Sequence, residues 1–329
     1  PMAARNVTNS RAAKVRADDV QAILELESRI RERVRGQEHA VSMVSETIRM
    51  ARAGVGNPDT PLGVLLFVGT SGVGKTETAL ALADVLFGGD RFLTTINMSE
   101  YQEKHTVSRL VGSPPGYVGF GEGGVLTEAV RQKPYSVVLL DECEKADLEV
   151  MNLFYQVFDK GVLNDGEGRR IDFHNTVVIL TSNLATDLIT QLYLQGDPTA
   201  EEVVEAIRPA LSRHFKPALL ARMTVVPFAP MKPEVLRDVT RLKVDRIVSR
   251  LRREHGTELR VAPEVVEEIA RRCQVAETGA RNVDHVLRTL VLPEVSRRIL
   301  EHVAKGAPPT TVDLRLGDDR TFLVEAQGV

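Results

Sequence analysis

Short apolar runs alternate with longer amphipathic stretches over the first 230 residues of the chain. The apolar runs cover residues 64–68, 92–97, 136–140, 176–181 and 224–228. They are shorter than a typical helix, whereas the stretches between them show helical periodicity. Alternation of this kind predicts an α/β fold, with a parallel sheet that is covered by helices on both faces.

Beyond residue 230 the pattern becomes mainly helical. Pro233 begins a long helix whose apolar positions recur at helical spacing, and Gly256 ends it. Further helices are predicted from Pro263 onward and over residues 282–303. The tail then alternates over residues 312–316 and 322–324, which predicts a terminal β-hairpin.

The pattern divides the chain into three parts. Residues 1–20 are polar and are predicted to form a linker or tail. Residues 21–230 are predicted to form a large α/β subdomain, and residues 231–329 a small, mainly helical subdomain. Within the large subdomain, residues 34–41 are expected to form a loop that leads into a helix.

A glycine-rich loop follows the first apolar run. Residues 69–76 read Gly-Thr-Ser-Gly-Val-Gly-Lys-Thr and precede a helical pattern over residues 78–87. This context is typical of a phosphate-binding loop, because glycines let successive backbone N–H groups face phosphate oxygens. Lys75 would reach the β- and γ-phosphates, and Thr76 would bind Mg²⁺. The residues predicted to bind ATP here are Thr70, Ser71, Gly72, Val73, Gly74, Lys75, Thr76 and Glu77.

Polar side chains follow two later apolar runs. Asp141 and Glu142 end one run, and Asn183 follows another. Ligands of an open parallel sheet bind at the carboxyl ends of its strands. Asp141 is therefore predicted to hold Mg²⁺, and Glu142 to polarise the water that attacks ATP. Asn183 would orient that water or sense the γ-phosphate, although a Ser-Asn pair by itself is more often a helix cap.

Charge and composition exclude several functions. The chain has 42 basic and 45 acidic side chains and a net charge of −3, whereas a nucleic-acid motor usually carries a basic excess. We therefore expect no nucleic-acid partner. Cys143 and Cys273 are not in metal-ligand spacing. No stretch is long and apolar enough to span a membrane, and no signal peptide is evident, so the expected location is the cytoplasm.

Two further segments carry a family resemblance. Residues 98–110 read Met-Ser-Glu-Tyr-Gln-Glu-Lys-His-Thr-Val-Ser-Arg-Leu, and residues 112–119 read Gly-Ser-Pro-Pro-Gly-Tyr-Val-Gly. Both resemble the second ATPase module of Clp/Hsp100 AAA+ proteins. The resemblance implies ATP-driven unfolding of a polypeptide that is threaded through the pore of a homo-hexamer. The loop that grips the substrate in this family corresponds to Gly116, Tyr117, Val118 and Gly119.

The resemblance assigns further roles by motif. Arg222 resembles the arginine finger that enters the neighbouring subunit's site, and Arg281 resembles the sensor arginine of the small subdomain. Either arginine taken alone would be interpreted as part of a surface ion pair. Val34 and Arg35 match the segment that packs near the adenine. Residues 165–169 resemble a second pore loop, for which a plain hairpin turn is the alternative.

Within the family, the segment before the last apolar run resembles the ClpV group. Lys216, Ala218 and Met223 depart from the pattern of ClpB-type disaggregases and match ClpV, the ATPase of bacterial type VI secretion. By resemblance, the substrate would be a subunit of the contracted type VI sheath, and a ClpB-like disaggregase is the alternative. Residues 183–215 contain no Ile-Gly-Leu or Ile-Gly-Phe tripeptide, so no ClpP protease partner is expected.

Two functions of other classes are compatible with a phosphate-binding loop alone. One is a nucleotide-gated DNA remodeller, which the near-neutral charge and the Tyr117 loop disfavour. The other is a small-molecule kinase, which Glu142, Arg222 and Arg281 disfavour.

Overall fold

The computed structural model describes residues 17–117, 121–274 and 280–327. We call the described residues up to 230 the large subdomain and those from 231 onward the small subdomain. The strands of the large subdomain are β1 (Gly63–Val68), β2 (Leu93–Asn97), β3 (Val137–Asp141), β4 (Val162–Asn164), β5 (Arg170–Asp172), β6 (Val177–Ser182) and β7 (Thr224–Pro227). Five of them form a parallel sheet with strand order β2-β3-β6-β1-β7. The five strands of the sheet are the five apolar runs of the sequence, which confirms the predicted α/β fold. Strands β4 and β5 form a separate antiparallel hairpin.

The register brings the carboxyl ends of the strands together. Val68 at the end of β1 pairs with Ser182 of β6 and Pro227 of β7. Strands β1 and β6 are buried along their whole length, as expected for strands that are covered on both faces. Successive residues of β1 point to opposite faces, so that Leu65 and Leu66 belong to two different apolar cores.

Helices cover both faces of the sheet. They are α1 (Ala17–Leu24), α2 (Leu26–Arg33), α3 (Glu38–Arg52), α4 (Lys75–Phe87), α5 (Val107–Val111), α6 (Val125–Gln132), α7 (Leu148–Asn152), α8 (Phe154–Lys160), α9 (Thr186–Gln195), α10 (Ala200–His214) and α11 (Pro217–Leu220). Helices α2 to α4 bury their apolar side chains in one core, and α5 to α11 bury theirs in the other.

Two boundaries and one hairpin differ from the sequence prediction. Helix α1 begins at Ala17, inside the segment that was expected to be a linker. The expected loop over residues 34–41 is shorter, because α3 begins at Glu38. Gln37 fixes this start, since its buried side-chain amide exchanges two 2.9 Å hydrogen bonds with the backbone of Ala229. Strands β4 and β5 were not predicted, because three residues are too short to show alternation, although a hairpin turn was the alternative for residues 165–169, which join them.

The small subdomain contains the predicted helices and a three-stranded sheet. Its elements are α12 (Pro233–His255), β8 (Glu258–Val261), α13 (Pro263–Gln274), α14 (Ala280–Val286), a π-helical turn (Leu287–Val291), α15 (Leu292–Val303), β9 (Thr311–Leu316) and β10 (Phe322–Gln327). The predicted hairpin of β9 and β10 is confirmed, and β8 adds a parallel strand on the other side of β9. Gly256 ends α12 in the left-handed conformation. None of the described helices has the length and apolarity needed to cross a membrane.

Candidate nucleotide site

The phosphate-binding loop lies between β1 and α4, at the carboxyl edge of the sheet. Gly72 and Gly74 have φ angles of +77° and +112°, which other residues rarely adopt. A Cβ atom at Gly69 would lie 2.9 Å from the carbonyl oxygen of Phe228. The backbone path therefore requires these glycines, and it leaves the first turn of α4 facing a cavity where an anion can bind.

Lys75, the first residue of α4, is only 9% exposed. Its ammonium donates hydrogen bonds to the carbonyl oxygens of Gly69 (2.5 Å) and Thr70 (2.9 Å) and to Oδ1 of Asn183 (3.1 Å). Burial lowers the pKa of Lys75 to about 8, although the carboxylate of Asp141 acts in the opposite direction. Phosphate oxygens bound nearby would favour the charged form of this side chain.

A threonine of β6 holds the two acids at the end of β3. The Thr181 hydroxyl donates to Oδ1 of Asp141 (2.5 Å) and accepts from the backbone N–H of Glu142 (3.0 Å). Glu142 has a φ angle of +57°, a left-handed conformation that is uncommon outside glycine and frequent at active sites. Its carboxylate accepts a 2.8 Å hydrogen bond from Lys145. Both acids line the cavity.

Asn183 connects the phosphate loop with a carboxylate that the sequence analysis missed. Its side-chain oxygen accepts from Lys75, and its backbone N–H donates to Oε1 of Glu144 at 3.2 Å. The other carboxylate oxygen of Glu144 is buried and has no hydrogen-bond partner among the described residues. Glu144 lies in the single helical turn Cys143–Lys145, directly after the strand-end acids, and its sequence position alone does not indicate the contact with Asn183.

The small subdomain closes the cavity from the other side. The residues that it contributes are Met231, Val239, Leu242, Lys243, Arg246, Ala280, Arg281 and Asp284. The Ala280 N–H donates to the carbonyl oxygen of Gly72 at 3.1 Å, so α14 begins in direct contact with the phosphate loop. Arg281 is close enough to Lys75 to oppose its protonation. Two cations thus converge where phosphates would bind.

Part of the cavity lining is apolar. Val34, Val239 and Leu242 lie in its lining. Gly36 has a φ angle of +70°, and a Cβ atom there would lie 2.6 Å from the methyl groups of Val235 on α12. This close approach places the loop before α3 against the small subdomain. Apolar walls beside a cationic loop have the composition that a nucleotide needs, with apolar surface for the base and cations for the phosphates.

The structure brings most of the predicted site residues together. The predicted residues that line the one cavity are Val34, Arg35, Ser71, Gly72, Val73, Gly74, Lys75, Thr76, Glu77, Asp141, Glu142, Asn183 and Arg281. Thr70 is not in the lining and contributes its carbonyl oxygen to Lys75. Arg222 is not in the lining either. Val118 and Gly119 of the predicted pore loop lie outside the described residues.

Arg222 is held by contacts on another surface of the large subdomain. Its guanidinium pairs with Asp159 and donates to the carbonyl oxygen of Ala218. It also stands 5.6 Å from the centre of the Tyr155 ring. These contacts fix the direction of the side chain. In this arrangement Arg222 does not contribute to the cavity of its own chain.

Tyr117 projects from a surface turn. Gly116 has a φ angle of +89°, and the Tyr117 N–H donates to the carbonyl oxygen of Pro114 at 3.2 Å. Tyr117 is 71% exposed. An exposed aromatic ring with a polar tip can contact many different partner surfaces.

Glycines join the base of this turn to the β4–β5 hairpin. The Gly166 N–H donates to the carbonyl oxygen of Val111 at 2.8 Å. A Cβ atom at Gly166 would lie 2.5 Å from the backbone of Gly112, and a Cβ atom at Gly124 would lie 2.2 Å from the Leu110 carbonyl oxygen. The loop over residues 165–169 caps the hairpin and is attached to the segment that carries Tyr117. We call this contact the glycine junction.

The donor set is suited to Mg²⁺ that arrives with a nucleotide. Thr76 and Asp141 both line the cavity. Thr181 engages one oxygen of Asp141, and a carboxylate has a second oxygen for an ion. Among the described residues there is no group of three or more metal-binding side chains. This agrees with an ion held by one or two protein ligands together with phosphates and water.

Two family descriptions match the chain. Residues 60–226 match the AAA domain (Cdc48 subfamily), and residues 231–312 match the C-terminal, D2-small domain, of ClpB protein. The two matches lie on either side of residue 230.

Curated relatives carry two different names. The chain is 52% identical over 295 residues to a chaperone protein ClpB of Yersinia enterocolitica. The matched segment covers 89% of this chain and 33% of the relative. It is 46% identical over 305 residues to the AAA+ ATPase ClpV1 of Pseudomonas aeruginosa, which covers 92% of this chain and 34% of the relative. The chain thus spans about a third of the length of these relatives.

A solved structure shares the fold. It is a closed-state cryo-EM reconstruction of Hsp104 with ATPγS and FITC-casein, with a TM-score of 0.83 and 29% sequence identity. The similarity covers 94% of this chain and 53% of that chain.

Proposed function

The chain belongs to the Clp/Hsp100 family of AAA+ ATPases as a C-terminal ATPase module, and we propose that it hydrolyses ATP to pull polypeptide through the central pore of a homo-hexamer. The observation that carries this proposal is the single cavity in which the phosphate loop, the strand-end acids, Asn183 and Arg281 meet. A binding protein would need the loop alone. The acid at position 142 adds a group that can act on water.

Each group in the cavity has a chemical task in this proposal. Lys75 and the backbone N–H groups of the loop neutralise charge on the β- and γ-phosphates. Glu142 accepts a hydrogen bond from the attacking water and polarises it. Asn183 orients that water or senses the γ-phosphate. Bound Mg²⁺ supplies further charge neutralisation, and Thr76 and Asp141 would hold it.

The two arginines act on different subunits. Arg281 of the small subdomain acts on the γ-phosphate of its own chain. Arg222 lies outside its own cavity, which supports a role in the site of a neighbouring subunit. Mixing Arg222→Ala with Glu142→Gln tests this, because each inactive variant supplies what the other lacks. Partial recovery of ATPase activity in the mixture is expected, and none would contradict a finger in trans.

The exposed Tyr117 provides the grip on the substrate. Its ring offers contact to any extended chain by packing and through its hydroxyl. Hydrolysis would move the small subdomain against the large one, and this movement would displace the loop that carries Tyr117.

We propose the contracted type VI sheath as the substrate. The support is the ClpV-like segment around Lys216 and Met223, together with the similarity to ClpV1. The similarity to a ClpB chaperone supports disaggregation as the second candidate. We also propose a cytoplasmic location, in keeping with two free, buried cysteines, and action without a ClpP ring.

The test uses the full-length parent protein with ATP. Purified contracted sheath is placed in one tube and a heat-aggregated reporter enzyme in another. We expect sheath disassembly that disappears in the Tyr117→Ala variant. Reporter recovery with intact sheath would assign the protein to the disaggregases instead.

A further inference from the structure

Glu77 was predicted to bind ATP, yet its carboxylate is engaged by two arginines. It accepts from Nε of Arg33 on α2 at 3.1 Å and from the guanidinium of Arg246 on α12 at 2.9 Å. Glu77 follows Thr76 directly, in the first turn of the helix that the phosphate loop leads into. One carboxylate therefore connects the edge of the nucleotide cavity with both subdomains.

The part of this cluster that belongs to the large subdomain is partly shielded from water. The side chains of Glu77 and Arg33 are 27% and 22% exposed, whereas that of Arg246 is 51% exposed. Burial opposes the charge on Arg33, but Glu77 and Asp90 outweigh it, and the pKa of Arg33 is raised. A third carboxylate, that of Asp84, has its Oδ2 atom 3.6 Å from the Arg33 guanidinium. Ion pairs that belong to a network of several charges contribute more than isolated surface pairs do.

A second contact ties the small subdomain to the same short segment. The N–H of Ala280, at the start of α14, donates to the Gly72 carbonyl oxygen. Gly72 lies within the phosphate loop, and Glu77 lies in the first turn of α4. The small subdomain is thus attached to this short segment at two points, through α14 at Gly72 and through α12 at Glu77.

We propose that Glu77 is a positioning residue, which through Arg246 sets the small subdomain over the nucleotide and does not itself hold ATP. Arg33 on α2 holds the Glu77 carboxylate in place within the large subdomain. Arg246 on α12 binds the same carboxylate from the small subdomain. The inference rests on the proposed function, because it assumes that nucleotide binds in this cavity.

A double-mutant cycle on the full-length protein tests the inference. The variants are Glu77→Gln, Arg246→Gln and the two combined, and the probe is a fluorescent ATP analogue with Mg²⁺. If both residues act through one contact, each single change weakens binding about fivefold and the double variant is no weaker than the worse single one. Arg250→Gln is the matched control, since Arg250 is exposed one turn further along α12; its affinity should equal that of the wild type.

The distance between spin labels on the two subdomains is a second measurement. Loss of a residue that only binds ATP would not change this distance in the absence of nucleotide. Without nucleotide, Arg246→Gln and Glu77→Gln should broaden this distance distribution equally, while Arg250→Gln leaves it unchanged. Additive losses of affinity would overturn the inference. So would a loss in Glu77→Gln alone, which would make Glu77 an ATP ligand. Lack of nucleotide binding by the wild type would instead contradict the proposed function.

Discussion

The nucleotide cavity and the Tyr117 turn are built in opposite ways. In the cavity, functional groups stand at the ends of buried strands, and Lys75 is 9% exposed with three acceptors around its ammonium. Tyr117 is 71% exposed and is described with one backbone hydrogen bond to its own turn. Hydrolysis needs atoms held within a fraction of an ångström, whereas gripping varied chains needs an accessible side chain. We therefore expect that the cavity and the Tyr117 turn can be inactivated by separate substitutions.

The two regions are nevertheless joined through the large subdomain. The segment carrying Tyr117 is fixed at its base by the glycine junction, where backbone atoms of Gly112 and Gly166 approach closely. Side chains at these positions would separate the loops. We infer that Tyr117 is exposed for contact with a substrate while backbone contacts hold the base of its segment in place.

Glu142→Gln is expected to have the largest effect, and it disables the cavity side. Glutamine fits the same space but polarises water poorly, so ATP turnover should fall by a factor on the order of 10²–10³ while ATP binding is retained. Phosphate release and the affinity for an ATP analogue measure the two quantities. Threading should stop as well, since it depends on hydrolysis. Turnover at the wild-type rate would remove Glu142 from the mechanism.

Gly124→Ala is expected to disturb the segment that carries Tyr117. The added methyl group would meet the Leu110 carbonyl oxygen at 2.2 Å, which should lower the free energy of unfolding by about 1–3 kcal/mol. Thermal unfolding measures this change, and ATP-dependent unfolding of a reporter measures the loss of grip. Gly196→Ala is the control, because Gly196 has extended backbone and no atom within 4 Å of its Cβ position. Equal behaviour of the two variants would show that the junction is not tight.

Raising the pH should weaken nucleotide binding through Lys75. Its pKa is lowered to about 8 by burial, and phosphates require the charged form, so that binding takes up a proton at alkaline pH. Between pH 7 and pH 9 the charged fraction in the free protein falls from about nine-tenths to about one-tenth, and affinity for ATP should fall about tenfold. Titrations with ATP measure the effect. Adenosine, which lacks phosphates, is the control, and an ATP affinity that does not change with pH would contradict the assignment.

The central strands β1, β3 and β6 could be predicted from the sequence because they are buried on both faces. Each then becomes a continuous apolar run such as residues 177–180, and the polar residues that follow mark the functional edge. Strand β8 could not be predicted in the same way. It is four residues long with Glu258 exposed, and it pairs with β9 some fifty residues later.

The cavity could be predicted only where its residues form a local motif. The residues of the phosphate loop follow one another in sequence, and so do the two strand-end acids. Arg246 lies on α12 among several arginines, and its partner Glu77 is 169 positions away. Glu144 has the same limitation, because its contact with Asn183 depends on how two strand ends meet. Such contacts follow from the tertiary fold and leave no spacing signal.

We propose that ATP hydrolysis drives Tyr117 to pull on polypeptide, and substitutions of Tyr117 test this. In one tube, the full-length parent protein is given ATP and a tagged, stably folded reporter, so that turnover and unfolding are measured together for wild type, Tyr117→Phe and Tyr117→Ala. We predict that turnover stays within about twofold in both variants, and that unfolding is kept by phenylalanine and lost with alanine. Unfolding that survives in Tyr117→Ala, or turnover that falls together with unfolding, would contradict the claim.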